Sequence, residues 1–162
     1  MSKPSIIEAM EHPKLFGPWF QGPSWDGWKS ILKAAYALEM TAEEVEFFRT
    51  VAARDPPKKR VKEVWLCCGR RAGKDSIASL VAAYESYFFE GGKSLRPGER
   101  ALVACFGNDK EQAKIELDYV RSYYRARTSR MDPTATLVAA FFRVQKDAFV
   151  HASLPDKLRP RQ

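Results

Sequence analysis

Apolar residues recur at helical spacing between residues 26 and 54 of the chain. The first such stripe predicts a helix over residues 26–39 and consists of Trp28, Ile31, Leu32, Ala35 and Leu38. A T-x-x-E capping pattern at Thr41 and Glu44 predicts a second helix, which ends near residue 54, before Asp-Pro-Pro. The first 24 residues hold four prolines and predict an irregular arm. We expect three aromatic side chains of this arm to pack: Phe16, Trp19 and Phe20.

Two short apolar runs without helical spacing follow, VWLCC at residues 64–68 and ALVACF at residues 101–106. Such runs are typical of strands buried in a parallel sheet. Each run precedes a helical stripe, one within residues 77–88 and one within residues 109–127. The order strand, helix, strand, helix predicts an α/β fold, with an incomplete parallel sheet of the P-loop NTPase type, flanking helices and a helical arm before them.

The end of the chain has a weaker pattern. Residues 137–144 and 148–154 fit either two strands joined at residues 145–147 or one frayed helix, and we favour strands. The resulting division is an arm with two helices at residues 1–57, a strand–helix repeat at 58–128 and a tail at 129–162.

Charge and composition bear on the binding partners and the cellular compartment of the protein. The chain has 27 basic and 20 acidic residues, a net charge of +7, which suits either a polyanion such as double-stranded DNA or a mildly basic solvated surface. A group of arginines near one helix end favours DNA: Arg121, Arg125, Arg127 and Arg130. No apolar run approaches the roughly 18 residues of a membrane span, and charges interrupt the N-terminus where a secretory signal needs an apolar core. Three cysteines without metal-ligand spacing fit the cytoplasm.

The segment between the first apolar run and the next helix carries the candidate chemistry. Its glycines allow a tight loop with N–H groups directed at phosphate oxygens, and the helix start adds a dipole that favours anions. Lys74 is spaced to reach the β- and γ-phosphates. The pattern therefore predicts an ATP site formed by Gly69, Arg70, Arg71, Ala72, Gly73, Lys74, Asp75 and Ser76.

The loop departs from the common pattern G-x-x-x-x-G-K-[ST] at two positions. Cys68 replaces the first glycine, and Asp75 replaces the hydroxyl residue that meets Mg²⁺. Asp75 either ligates Mg²⁺ directly or weakens binding by repelling the triphosphate, and we favour the second. Arg70 and Arg71 either fork onto phosphate oxygens or form a basic rim, and a chance Gly-Lys pair at a helix start is the less favoured explanation of the whole loop.

Several segments together resemble the large terminase subunit of tailed bacteriophages. They are the loop GRRAGKD after EVWLCC, the upstream W-x-x-W-K-x-x-L at residues 25–32, FRTVAARDPP at residues 48–57 and ALVACFGNDKEQAKIELDYV at residues 101–120. The resemblance covers roughly residues 25–127. In this family the loop is often G-R-R-x-G-K, which accounts for Cys68 but not for Asp75.

The resemblance implies an ATP-driven DNA-packaging motor of a bacterial host's cytoplasm, with an ATPase domain and a nuclease domain. It implies that residues 69–73 and Lys74 hold ATP with Mg²⁺, and that Arg70 is the catalytic loop arginine. The implied partners are double-stranded DNA, the small terminase subunit and the portal.

Part of the family's machinery has no counterpart in this sequence. Hydrolysis needs an apolar strand that ends in Asp-Glu, and no such run follows residue 127. The tail after residue 128 is unlike the family, so we expect a truncated ATPase fragment that binds nucleotide without complete hydrolytic or nuclease machinery. The alternative is a noncatalytic interaction protein that contacts DNA or motor subunits, and a small P-loop kinase is a distant third.

Overall fold

A computed structural model describes residues 3–91, 95–97, 99, 101–106, 110–125, 142–145 and 148–151. Five helices occur in this part of the chain: α1 (Ile6–Glu11), α2 (Asp26–Tyr36), α3 (Ala42–Ala52), α4 (Lys74–Tyr87) and α5 (Lys110–Arg125). Two short strands, β1 (Phe142–Gln145) and β2 (Ala148–His151), also occur there. The chain divides into two compact units, Met1–Ile77 and Ala78–Gln162.

The first unit opens with a helix in the segment for which the sequence predicted an irregular arm. Ser5 and Glu8 form a reciprocal capping box, in which each side chain accepts a hydrogen bond from the other's backbone N–H. The six-residue helix buries Ile6, Ala9 and Met10. Two short 3₁₀ turns follow, Gly17–Trp19 and Pro23–Trp25. The expected packing of the arm's aromatics is confirmed, since Phe16 and Phe20 are buried and Trp19 is half-buried.

The next two helices confirm the predictions from periodicity, with ends two to three residues short of those expected. Each helix stops at an alanine in the left-handed conformation, Ala37 at φ 53° and Ala53 at φ 52°. The capping box of α3 is also confirmed, because Thr41 Oγ1 accepts from the Glu44 N–H at 3.3 Å and Glu44 Oε2 accepts from the Thr41 N–H at 2.8 Å.

Ion pairs and a close approach fasten α2 to its neighbours. Lys33 Nζ lies 2.6 Å from Glu44 Oε1 on α3, and Lys29 Nζ lies 2.8 Å from Glu11 Oε1 on α1. A Cβ atom added at Gly27 would lie 2.9 Å from the Phe47 ring, so α2 and α3 pass very close here. The three helices therefore form a connected bundle.

The predicted parallel sheet is wrong. Residues 64–68 and 101–106 form no regular element, and their apolar side chains are exposed except for the half-buried Cys68 and Cys105. Trp65 is 91% exposed and Leu102 is 85% exposed. A strand satisfies its backbone groups only through a neighbouring strand, and within the described residues neither run has one. The P-loop NTPase-like α/β class is therefore replaced by a mainly helical fold.

The second unit contains most of α4, together with α5 and the two strands. Leu80, Ala83 and Tyr84 are buried on α4, as are Val120 and Tyr123 on α5. The Ser79 hydroxyl joins these helices by donating to the backbone carbonyl of Glu116 at 3.1 Å. Strands β1 and β2 pair antiparallel, from Phe142 opposite His151 to Gln145 opposite Ala148. The predicted tail strands extend beyond these limits, into residues that lie outside the described part of the chain.

Candidate phosphate-binding loop

The candidate loop forms a turn that leads directly into α4. Arg71 has φ 62° and Gly73 has φ 79°, so the backbone passes twice through the left-handed region within three residues. The Gly73 carbonyl accepts from the Ile77 N–H at 3.1 Å, which makes Gly73 the residue just before the first helical turn. The predicted helix start is confirmed, but the strand expected before the loop is absent.

Two tryptophans from the start of α2 lie against this loop. Trp28 Nε1 donates a 2.8 Å hydrogen bond to the Ala72 carbonyl oxygen, across 44 residues of sequence. A Cβ atom added at Gly73 would lie 3.0 and 3.2 Å from two carbons of the Trp25 ring. Phe20 in turn packs edge-on against the Trp25 ring, with the two ring centroids 4.9 Å apart. The helical bundle thus supports the loop from one side.

The sequence did not reveal this support. Trp28 was assigned to the apolar stripe of a helix, and Trp25 carried only the family resemblance. The one signal for their contact with the loop was the pair of indoles at i and i+3, which places two large rings near each other at one helix start. Spacing of this kind does not identify a partner more than 40 residues away.

The charges of the loop are exposed and mainly positive. Arg70, Arg71 and Lys74 all have exposed side chains. Lys74 Nζ lies 3.2 Å from Asp75 Oδ1 and 3.3 Å from Asp75 Oδ2, with 55% and 45% of the two side chains exposed. An ion pair this exposed contributes little free energy, so a multiply charged anion can compete with Asp75 for the ammonium group. At the start of the loop there is open space, since a Cβ atom at Gly69 would meet nothing within 4 Å.

Asp75 is the predicted metal ligand, and the structure places its carboxylate beside Lys74. Across the described ranges there is no group of three or more His, Cys, Asp or Glu side chains that could hold a metal ion. A Mg²⁺ ion at this loop would therefore depend on phosphate oxygens and water for most of its ligands.

Almost all of the chain's positive surplus lies around this loop. Residues 58–74 contain seven basic residues and one acidic residue, a net charge of +6 against +7 for the whole chain. All seven are exposed: Lys58, Lys59, Arg60, Lys62, Arg70, Arg71 and Lys74. The connector before the loop is tied to α2, because the Val61 N–H donates to the Ala35 carbonyl at 3.0 Å and the Arg60 guanidinium lies 4.6 Å from the Tyr36 ring centroid.

Of the four arginines that suggested DNA in the sequence, only Arg121 has a described side chain. Arg121 pairs with Asp118 at 2.9 Å, and only 13% of its side chain is exposed. The side chain of Arg125, and the whole of Arg127 and Arg130, lie outside the described part of the chain. Among the described side chains, the basic segment at residues 58–74 is therefore a better candidate surface for a polyanion than Arg121.

Two broader findings complete the description of the site. In the described part of the chain, no helix combines the length and the apolar character needed to cross a membrane. Comparison with protein-family models, with curated proteins and with solved structures finds no match to this chain.

Proposed function

We propose that residues 69–76 bind the phosphate groups of a nucleoside triphosphate, ATP with Mg²⁺, in a protein related to the large terminase subunits of tailed bacteriophages. The observation that carries the proposal is the loop itself. Its backbone is left-handed at Arg71 and Gly73 and leads into the first turn of a 14-residue helix that begins with Lys74. A helix start with a lysine and two nearby arginines attracts a multiply charged anion.

Each part of the loop has its own role in this proposal. The backbone N–H groups around Gly73 meet phosphate oxygens, and Lys74 supplies a positive charge to the terminal phosphates. Arg70 and Arg71 add forked hydrogen bonds from the exposed side. Asp75 competes with the ligand for Lys74, since their charged atoms already lie 3.2 Å apart. We therefore propose weak binding, with Asp75 acting against the nucleotide rather than as a strong metal ligand.

We expect binding without appreciable hydrolysis. Hydrolysis requires a second acidic group that positions water and metal, usually at the end of an apolar strand. No apolar run after residue 127 ends in Asp-Glu. Phosphate release by this chain above that of a Lys74→Ala variant would overturn this part of the proposal.

Calorimetric titration with Mg²⁺-ATP tests the proposal through three matched variants. Lys74→Ala should abolish measurable binding, because the phosphates lose the ammonium group in the first turn of α4. Lys62→Ala is the control, since Lys62 is another exposed lysine of the basic segment but lies outside the loop. Asp75→Ser should bind more tightly than the natural chain because it releases Lys74. Equal affinity of the natural chain and Lys74→Ala would overturn the proposal.

A second candidate function, a noncatalytic protein that binds double-stranded DNA, is favoured by the +6 charge of residues 58–74. Lysines and arginines of this kind contact DNA phosphates and release counterions, so each phosphate contact lowers log affinity by roughly 0.9 for every tenfold increase in salt concentration. Combined replacement of Lys58, Lys59 and Lys62 by Ala should reduce that slope while leaving ATP affinity unchanged. A slope that the triple variant does not change would reject this surface.

A further inference from the structure

We infer that Trp28 is a positioning residue for the phosphate-binding loop: by holding the Ala72 carbonyl, it turns the Gly73 N–H toward the bound anion. This inference rests on the proposed function and adds to it the element that shapes the site. Trp28 does not touch the anion and acts only through the loop backbone.

The geometry of one peptide group carries the inference. Trp28 Nε1 holds the Ala72 oxygen at 2.8 Å, and the peptide bond between Ala72 and Gly73 is trans. In a trans peptide the carbonyl and the following N–H point in opposite directions. The Gly73 N–H therefore points away from the indole, and among the described residues it donates no hydrogen bond. It is an available donor on the side of the loop opposite α2.

The same hydrogen bond removes an unfavourable group from the site. A carbonyl oxygen that faced the anion would repel it, since the oxygen carries a partial negative charge. With the Ala72 oxygen engaged by Trp28, the loop presents a donor instead of an acceptor at this position. The sign of the local field thus depends on which way a single peptide group is turned.

The indole is itself held by a fastened helix. Lys29, next to Trp28, pairs with Glu11 at 2.8 Å and with Asp26 at 3.4 Å. The hydrogen bond to Glu11 raises the pKa of Lys29 above its usual value, because the pair favours the charged ammonium. Behind the loop, the Trp25 ring fills the space beside Gly73. A loop ordered before the ligand arrives loses less entropy on binding.

The sharpest test deletes only the N–H of Trp28. Replacement of this residue by 3-benzothienylalanine keeps the shape of the ring and exchanges the N–H for sulfur. The matched control is the same replacement at Trp65, whose side chain is 91% exposed. The affinity for Mg²⁺-ATP should fall roughly two- to tenfold at Trp28, the range expected for one hydrogen bond, and remain unchanged at Trp65.

A second readout separates positioning from general stability. In the natural chain, the amide resonance of Gly73 should shift strongly when Mg²⁺-ATP is added, and the shift should be much smaller in the Trp28 variant. Trp28→Phe should behave in the same way, while resonances of α3 remain unchanged. Equal ATP affinity and equal Gly73 shifts in all forms would overturn this inference and leave the proposed function intact. No ATP binding by the natural chain would overturn the proposed function and this inference with it.

Discussion

Two apolar segments of the first unit, α2 and residues 64–68, were predicted from equally clear patterns but have opposite environments. Leu32 on α2 is 4% exposed, whereas Leu66 is 49% exposed. A helix completes its backbone hydrogen bonds internally and needs other elements only to cover its apolar face. A strand needs a neighbour for both its backbone and its side chains. Apolar patterning is therefore sufficient evidence for the first kind of element but not for the second.

The largest expected effect comes from shortening one leucine in each segment. Leu32→Ala should lower the free energy of unfolding by about 2–5 kcal/mol, because it leaves a cavity in the bundle. Leu66→Ala removes the same atoms from an exposed side chain and should change stability by less than about 0.5 kcal/mol. Chemical denaturation of both variants measures the difference directly.

The same pair of variants tests whether residues 64–68 are as exposed in solution as in the structure. A loss of several kcal/mol in Leu66→Ala would mean that residues 64–68 are packed in solution and that the segment has a structural partner. A large difference between the two variants would show that the apolar packing of the first unit includes Leu32 and not Leu66.

Elements that depend on interactions between nearby residues were predictable from the sequence, and elements that depend on distant partners were not. The capping box of α3 lies within four consecutive residues, and both of its hydrogen bonds were predictable from Thr41 and Glu44. Ser5 and Glu8 have the same spacing and cap α1, but the prolines on either side of this six-residue helix favour irregular structure in the sequence pattern. The predicted sheet was wrong because it required two runs far apart in sequence to pair through a common sheet, and neither run contains a signal for such pairing.

A smaller effect is expected where the bundle meets the loop. Gly73→Ala should destabilise the first unit by roughly 1–2 kcal/mol, because an L-residue is strained at φ 79°. The added methyl group also lies 3.0 Å from the Trp25 ring, so the loop must shift. Gly69→Ala is the control, since its Cβ atom meets nothing within 4 Å and should leave stability nearly unchanged. Thermal unfolding and Mg²⁺-ATP titration of both variants measure stability and loop function together.

Only the local features of the candidate site were predictable from the sequence. Residues 69–76 indicated a loop before a helix, because a glycine with φ 79° and a helix start are local features. The contact between Trp28 and Ala72 spans 44 residues and depends on how α2 packs. No periodicity within either segment encodes that contact. If Gly73→Ala proves as harmless as Gly69→Ala, the tryptophans do not hold the loop.

The smallest expected effect concerns the ion pair that fastens α2 to α3. Burial raises the pKa of Glu44, but the hydrogen bonds from Lys33 and from the Thr41 backbone outweigh it and hold the pKa below the ordinary value of 4.5. A carboxyl group whose pKa is lowered by folding stabilises the native state above its unfolded pKa. That stabilisation is therefore complete above pH 4.5 and is lost as the pH falls below it through the native pKa.

Glu44→Gln should therefore lower stability by roughly 1 kcal/mol at neutral pH and by less in acid, where the natural chain has also lost the pair. Glu46→Gln on the same helix is the control, because its side chain is 75% exposed and its contact with Arg49 is long, at 3.9 Å. Denaturation at several pH values should give converging stabilities for Glu44→Gln and the natural chain as the pH falls. Parallel curves would mean that Lys33 and Glu44 do not hold the bundle, and that its stability comes from apolar packing alone.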